Sequence, residues 1–96
     1  MTEFRKNVID TCNKALEVLI AAYGVVGTQR LNAAGEEAAA LDQQLRKIAR
    51  TGATVDTVLA WAQNDKATKE GLVKMGLDIL INEMKELGFD MEGKEK

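Results

Sequence analysis

The chain contains no histidine, no proline and a single cysteine, Cys12, among its 96 residues. Without histidine there is no imidazole general base, no Ser-His-Asp triad and no histidine ligand for a metal. One cysteine cannot complete a structural zinc site or an intramolecular disulfide. Cys12 is therefore expected to be a small buried apolar residue in a reducing compartment. We predict no enzyme activity, no catalytic residue, no metal site, no cofactor and no small-molecule substrate.

Long apolar runs and strand patterns are also missing. The longest apolar stretch, residues 15–27, is interrupted by Glu17 and is too short to cross a bilayer. No segment alternates polar and apolar residues over the length of a strand. The chain also begins without a basic segment followed by a cleavage site. We therefore expect a cytoplasmic protein without a membrane partner.

The first half of the chain carries a helical pattern. Apolar or small residues recur every three or four positions from Ile9 to Ile48, the spacing that keeps one stripe of a helix facing a partner. One helix over residues 4–50 would be roughly 70 Å long, which exceeds the diameter of a compact monomer of this size. A turn at residues 32–35 would instead give an antiparallel hairpin, with Glu36 and Glu37 favourably placed in the first turn of its second helix. The spacing leaves both arrangements open.

Either arrangement leaves an apolar stripe that a chain of this length cannot cover alone. Small residues at some of its positions would let two helix backbones approach closely. We therefore predict self-association into a dimer or tetramer. The residues expected at the interface between copies are Ile9, Leu16, Ile20, Tyr23, Leu31, Leu41, Leu45 and Ile48.

Two further helices are predicted in the second half of the chain. A basic cluster at residues 46–50 followed by Gly52 indicates a helix that ends near Thr51. Thr54 is a favourable N-cap for the next helix. The polar residues 63–70 then form a short connection or an exposed turn.

The last predicted helix has a wide apolar face. From Val73 to Leu87, apolar residues repeat at helical spacing. Leu72, Met75, Ile79 and Ile81 broaden this face, which predicts deep burial. Gly88 and Phe89 have the pattern of a Schellman C-cap, in which a glycine ends the helix and the next residue packs back on it.

These segments define the expected fold. We predict an all-α protein, with residues 1–91 as a single helical domain and residues 92–96 as a charged flexible tail. The domain is expected to be a small helical bundle, with a long N-terminal helix or helical hairpin followed by two shorter helices. Oligomerisation is expected to complete the bundle, because a core of this size is modest.

Residues 52–61 resemble the turn and second helix of helix-turn-helix DNA-binding proteins. The pattern of turn glycine, capping threonine, Thr-Val pair and aromatic residue is carried by Gly52, Thr54, Thr57, Val58 and Trp61. The resemblance implies a DNA-binding regulator that uses residues 46–63. The candidate contacts to DNA or to another partner are Arg46, Lys47, Arg50 and Trp61.

The chain departs from that family in two respects. The family usually has an alanine four residues before the turn glycine, whereas Ala49 lies three residues before Gly52. The helix that would face base edges offers no arginine, lysine, asparagine or glutamine there, and Asp56 would repel phosphates. With a formal net charge of -2, the chain also lacks the positively charged surface of DNA-binding domains. We therefore do not expect nucleic acid to be a partner.

The patterns favour a small self-associating helical interaction protein that binds another protein, as a regulator, adaptor or inhibitor of bacterial or phage type. Alternatives are the helix-turn-helix regulator and a subunit or chaperone of a larger particle. A regulator should form a discrete closed oligomer alone, whereas an assembly subunit is ordered only with its partner. Trp61 is expected either to anchor its helix in the core or, if exposed, to be a partner-binding hot spot.

Overall fold

The computed structural model describes residues 1–91 and contains three α-helices. They are α1 (Glu3–Leu31), α2 (Gly35–Gln63) and α3 (Glu70–Glu86). The all-α class and the small helical bundle are confirmed, and the described residues include no strand. None of these three helices is both long and apolar enough to cross a membrane. The tail predicted at residues 92–96 lies outside the described residues.

The first half of the chain is a hairpin and not a continuous rod. α1 ends at its C-cap, Asn32. Gly35 then adopts a φ of 62°, a left-handed conformation that costs other L-residues about 1–2 kcal/mol. Glu36 and Glu37 lie in the first turn of α2. The turn predicted at residues 32–35 is therefore confirmed, and the single long helix is wrong.

α2 continues through the position at which the sequence predicts a helix boundary. Gly52 has no left-handed φ, and the hydroxyl of Thr54 donates to the carbonyl of Arg50 within the helix. The predicted end near Thr51 and the N-cap at Thr54 are therefore wrong. Packing explains the difference, because one buried stripe crosses Gly52 and outweighs the roughly 1 kcal/mol that glycine costs a helix. The stripe consists of Ile48, Thr51, Val55, Val58 and Ala62.

This continuity has two consequences. The turn of a helix-turn-helix motif is not formed within residues 46–63. One shorter helix, α3, follows the hairpin where two were predicted, because the first of the two is the second half of α2.

α3 ends in the Schellman cap that the sequence predicts. The N–H of Phe89 donates to the carbonyl of Met84 at 2.8 Å, and the N–H of Gly88 donates to the carbonyl of Lys85 at 2.9 Å. Gly88 has a φ of 97°, as the motif requires. Phe89 packs against the buried core. The local sequence therefore determines this end of the helix.

The core lies where the three helices meet. α1 and α3 both run antiparallel to α2, since Arg5 reaches the carbonyl of Ala62 and Gly76 of α3 lies beside Trp61 near the end of α2. The largest fully buried side chains are Leu80, Met84, Val8, Val55, Val58, Val73 and Cys12.

The hairpin is longer than the helix that covers it. α1 and α2 each have 29 residues and α3 has 17, which gives lengths of about 43 Å and about 25 Å. α3 starts level with α1, because Thr2 donates to Glu70. About 18 Å of the hairpin therefore has no third helix. The Cα radius of gyration, 15.1 Å, accordingly exceeds the roughly 12.5 Å expected for a compact domain of this length.

We name the two regions by this difference. The closed end comprises α1 up to Leu19, α2 from residue 41, the 64–69 connection and α3. The open end comprises residues 20–40, which form the tip of the hairpin.

Candidate interaction surfaces

Arg5 joins the elements of the closed end. Its side chain is buried, with 3% of the residue exposed. Its guanidinium donates to the carbonyls of Trp61 at 3.0 Å and Ala62 at 3.2 Å, and also to that of Thr68. The last carbonyls of a helix have no partner within the helix and favour a positive charge. Arg5 therefore caps the C-terminus of α2 from another helix.

Two carboxylates complete the surroundings of Arg5. Its Nε lies 3.0 Å from Asp65 and 3.7 Å from Glu70. The ammonium group of Met1 lies 3.3 Å from the same Asp65. Because all three guanidinium nitrogens are engaged, this cluster holds the 64–69 connection in place. Sequence reasoning missed Arg5, since nothing in the pattern distinguishes it from a surface arginine in the first turn of a helix.

Two apolar stripes run side by side along α1. The stripe that packs on the other helices contains Val8, Cys12, Ala15, Leu19 and Val26. The stripe predicted as an interface follows it by one residue at nearly every position, through Ile9, Leu16, Ile20, Tyr23 and Gly27. A step of one residue turns a side chain by about 100° around the helix. The predicted stripe therefore lies beside the intramolecular core.

This second stripe becomes more exposed toward the open end. Ile9 and Leu16 are half-buried. Ile20 is 70% exposed, Tyr23 48% and Leu31 84%. Large apolar side chains placed in a row at such exposures form a candidate interaction surface.

The interface residues predicted on α2 behave differently. Leu41 and Leu45 are half-buried against the core that joins the helices. Ile48 is buried within the chain, with 3% exposed. Packing within the chain therefore covers the whole side chain of Ile48 and part of the side chains of Leu41 and Leu45.

The basic residues Arg46, Lys47 and Arg50 lie exposed near the middle of α2. Because the helix continues to Gln63, they do not occupy its last turn, as a helix end near Thr51 would require. Lys47 and Arg50 line a cavity of about 260 Å³ with Glu83 of α3. This part of the α2–α3 groove is therefore polar and carries charges of both signs.

The other part of the α2–α3 groove is apolar and centres on Trp61. A cavity of about 220 Å³ is lined by Thr54, Thr57, Val58, Trp61, Gly76 and Ile79. The ring atoms Cζ3 and Cε3 of half-buried Trp61 lie 3.0 and 3.1 Å from the position that a Cβ on Gly76 would take. The absence of a side chain at Gly76 thus allows the indole to lie on α3. Trp61 both packs on the core and borders the groove.

Three apolar residues of α3 flank this groove in a row. Leu72 is 36% exposed, Met75 53% and Ile79 47%. The deep burial predicted for them is wrong, because the buried face of α3 is the narrower stripe through Val73, Gly76, Leu80 and Met84. No helix of the described chain lies over Leu72, Met75 and Ile79.

The described residues offer little reactive chemistry. Burial raises the pKa of the Cys12 thiol to about 11, so the thiol is neutral at physiological pH and is a poor nucleophile. Within residues 1–91, no group of three or more His, Cys, Asp or Glu side chains is arranged to hold a metal ion.

Comparison with protein-family models gives no match, and neither the curated proteins nor the solved structures include one with significant similarity to this chain.

Proposed function

We propose that this chain is a small helical interaction protein that associates with itself and binds a second protein, and that it has no catalytic role. The observation that carries the proposal is the second stripe of α1, which leaves Ile20, Tyr23 and Leu31 exposed in a row. A cytoplasmic location suits the free thiol of Cys12.

The energies support association of moderate strength. Burial of a large apolar side chain contributes about 1.5–3 kcal/mol. Three such residues on each of two copies would contribute on the order of 10 kcal/mol. Loss of translational and rotational freedom opposes association by about 4–15 kcal/mol. Because these two energies are of similar size, stable self-association requires further contacts from the same face.

The groove at Trp61 provides a second surface, suited to another protein. Amphipathic helices bind such grooves with apolar anchors at spacings of three and four residues. Leu72, Met75 and Ile79 supply a row of that spacing, and tryptophan is enriched among residues that dominate binding energies. A partner helix would lie in this groove, between Thr57 of α2 and Ile79 of α3 and over Trp61.

Light scattering after gel filtration tests self-association. We expect a discrete dimer or tetramer at micromolar concentration, and we expect Ile20→Asp to give a monomer of unchanged helical content, because it would bury an unpaired charge. Val25→Asp is the matched control, since Val25 is 59% exposed on another side of the same helix. A wild type that is strictly monomeric and melts cooperatively contradicts the proposal. A polydisperse species that becomes ordered only with a partner favours an assembly subunit.

Affinity capture with immobilised wild type and Ile79→Asp tests the second surface. We expect the same protein to be retained by wild type and by Lys74→Asp, a control at a 65% exposed side chain on another side of α3, but not by Ile79→Asp. Equal retention by all three places the binding surface elsewhere. A gel-shift series at two salt concentrations tests the DNA-binding alternative, for which we expect weak, non-specific and salt-sensitive binding.

A further inference from the structure

We propose that two copies of this chain pair antiparallel through the face of the α1–α2 hairpin opposite α3, with a two-fold axis beside Leu16. The inference rests on the proposed self-association and specifies which residues meet. We call this surface the back face; its residues are Ile9, Asn13, Leu16, Ile20, Tyr23, Gly27 and Leu31 of α1, and Arg46, Ala49, Ala53, Asp56 and Ala60 of α2.

The contacts of α3 show which side of the hairpin is free. Phe4 of α1 lines a cavity with Gly71 of α3, and Val18 shares that side of α1 because it follows Phe4 by four turns. Ile20 follows Val18 by two residues, which is a rotation of about 200°. The second stripe therefore points away from α3.

The same geometry holds on α2. A Cγ of Val58 lies 3.1 Å from the position that a Cβ on Gly76 of α3 would take. Asp56 precedes Val58 by two residues, again a rotation of about 200°. The exposed residues Ala49 and Ala53 lie between Asp56 and Arg46, so the centre of the back face is small and apolar.

The charges of the back face are self-complementary. Asp42, at the edge of this face, pairs with Arg30 of its own chain at 2.7 Å. Arg46 and Asp56 are exposed, and neither has an ion-pair partner among residues 1–91. They are ten positions apart, so an axis midway between them places each about 7.5 Å from it along the helix. An antiparallel pair thus brings Arg46 of one copy opposite Asp56 of the other, twice.

The same axis also matches the apolar residues of α1. Because Arg5 lies beside the carbonyl of Ala62 and three residues join α1 to α2, the midpoint of the charged pair on α2 is level with the turn of α1 that carries Leu16. Leu16 then faces its own copy across the axis, and the half-buried Ile9 faces the exposed Tyr23. A parallel pair would instead set α1 of one copy on α2 of the other, so Arg46 would not meet Asp56.

Small residues allow the two hairpins to approach. Ala49 of one copy lies opposite Ala53 of the other at the axis. Close packing of helices brings their axes to about 8–10 Å. Four long helices, two from each copy, then enclose the second stripe of α1.

Disulfide trapping tests the position of the axis. Leu16→Cys should form a covalent dimer under mild oxidation, because residues at a two-fold axis meet their own copies. Val25→Cys, which is more exposed but lies on another side of α1, should not. The native Cys12 does not interfere, since it is fully buried.

Charge exchange tests the pairing independently. Arg46→Glu and Asp56→Arg should each raise the dissociation constant of the oligomer about tenfold, because each affects two pairs in the dimer. The double variant should restore most of the wild-type affinity, since both pairs are then re-formed with reversed sign.

The outcomes separate this inference from the proposed function. A wild type that is monomeric at all concentrations overturns both. If the wild type associates, but Leu16→Cys crosslinks no faster than Val25→Cys or the double charge exchange is no better than the single variants, the antiparallel pairing is wrong and self-association through another surface stands.

Discussion

The closed end and the open end of the molecule use the same two helices but differ in what holds them together. At the closed end, α3 covers the hairpin and Arg5 joins three segments through hydrogen bonds to backbone carbonyls. At the open end, two helices pack on each other alone, and Ile20 and Leu31 are 70% and 84% exposed. Apolar residues recur at the same spacing in both.

This difference shows that the amount of apolar sequence does not decide burial. The second stripe of α1 is as regular as the first, yet only the first has a partner within the chain. Regions with few buried contacts open locally at lower free energy than the rest of a protein. We therefore expect the closed end to determine the stability of the monomer and the open end to determine its association.

Truncation of one leucine in each region should give the largest difference in stability between the closed end and the open end. Leu80→Ala, at a site that is fully buried, should lower the free energy of unfolding by about 2–5 kcal/mol. Leu31→Ala should change it by less than about 0.5 kcal/mol. Urea unfolding at a concentration where the protein is monomeric measures both. Similar losses for the two variants would contradict the division into two regions.

The two paired arginines provide a second test. Arg5→Met keeps the aliphatic packing but leaves three carbonyls without their charged donor, and should cost about 3 kcal/mol of stability. Arg30→Met removes only the partly exposed pair with Asp42 and should cost less than about 1 kcal/mol. Thermal unfolding of the monomer checks both values. An equal loss of stability for the two variants would mean that water replaces the Arg5 contacts in Arg5→Met.

The glycines that carry the two predicted C-caps give a smaller and opposite pair of effects. Gly52→Ala should raise the free energy of unfolding by about 1 kcal/mol, because Gly52 is inside a helix and no atom lies within 4 Å of an added Cβ. Gly88→Ala should lower it by about 1 kcal/mol, since Gly88 has a φ of 97°. Destabilisation by Gly52→Ala would contradict a continuous α2 and would support the predicted helix boundary at Gly52.

Local sequence was sufficient where a few neighbouring residues decide the conformation. The Schellman cap at Gly88 was predicted correctly, and the turn at residues 32–35 was one of the two arrangements that the spacing left open. Both depend on glycines with left-handed φ. The boundary at Gly52 was predicted from the same type of signal, but there the packing of a stripe along the whole of α2 outweighs local preference. A glycine after basic residues cannot by itself distinguish these cases.

The candidate surfaces were harder to predict because they depend on which of two equivalent stripes is covered. Periodicity identified α1 as a helix with apolar positions such as Leu16 and Ile20, but the adjacent stripe through Cys12 and Leu19 forms the core. The role of Arg5 and the contact of Trp61 with Gly76 join residues far apart in the sequence. No local pattern encodes them.

Hydrogen exchange at two protein concentrations tests the central claim most directly. One concentration is chosen where light scattering gives the monomer mass, the other where it gives the oligomer. We predict that amides of residues 20–31 become more protected at the higher concentration, while those of α3 do not change. Protection in residues 20–31 that is independent of concentration would contradict the claim that a second copy covers the open end.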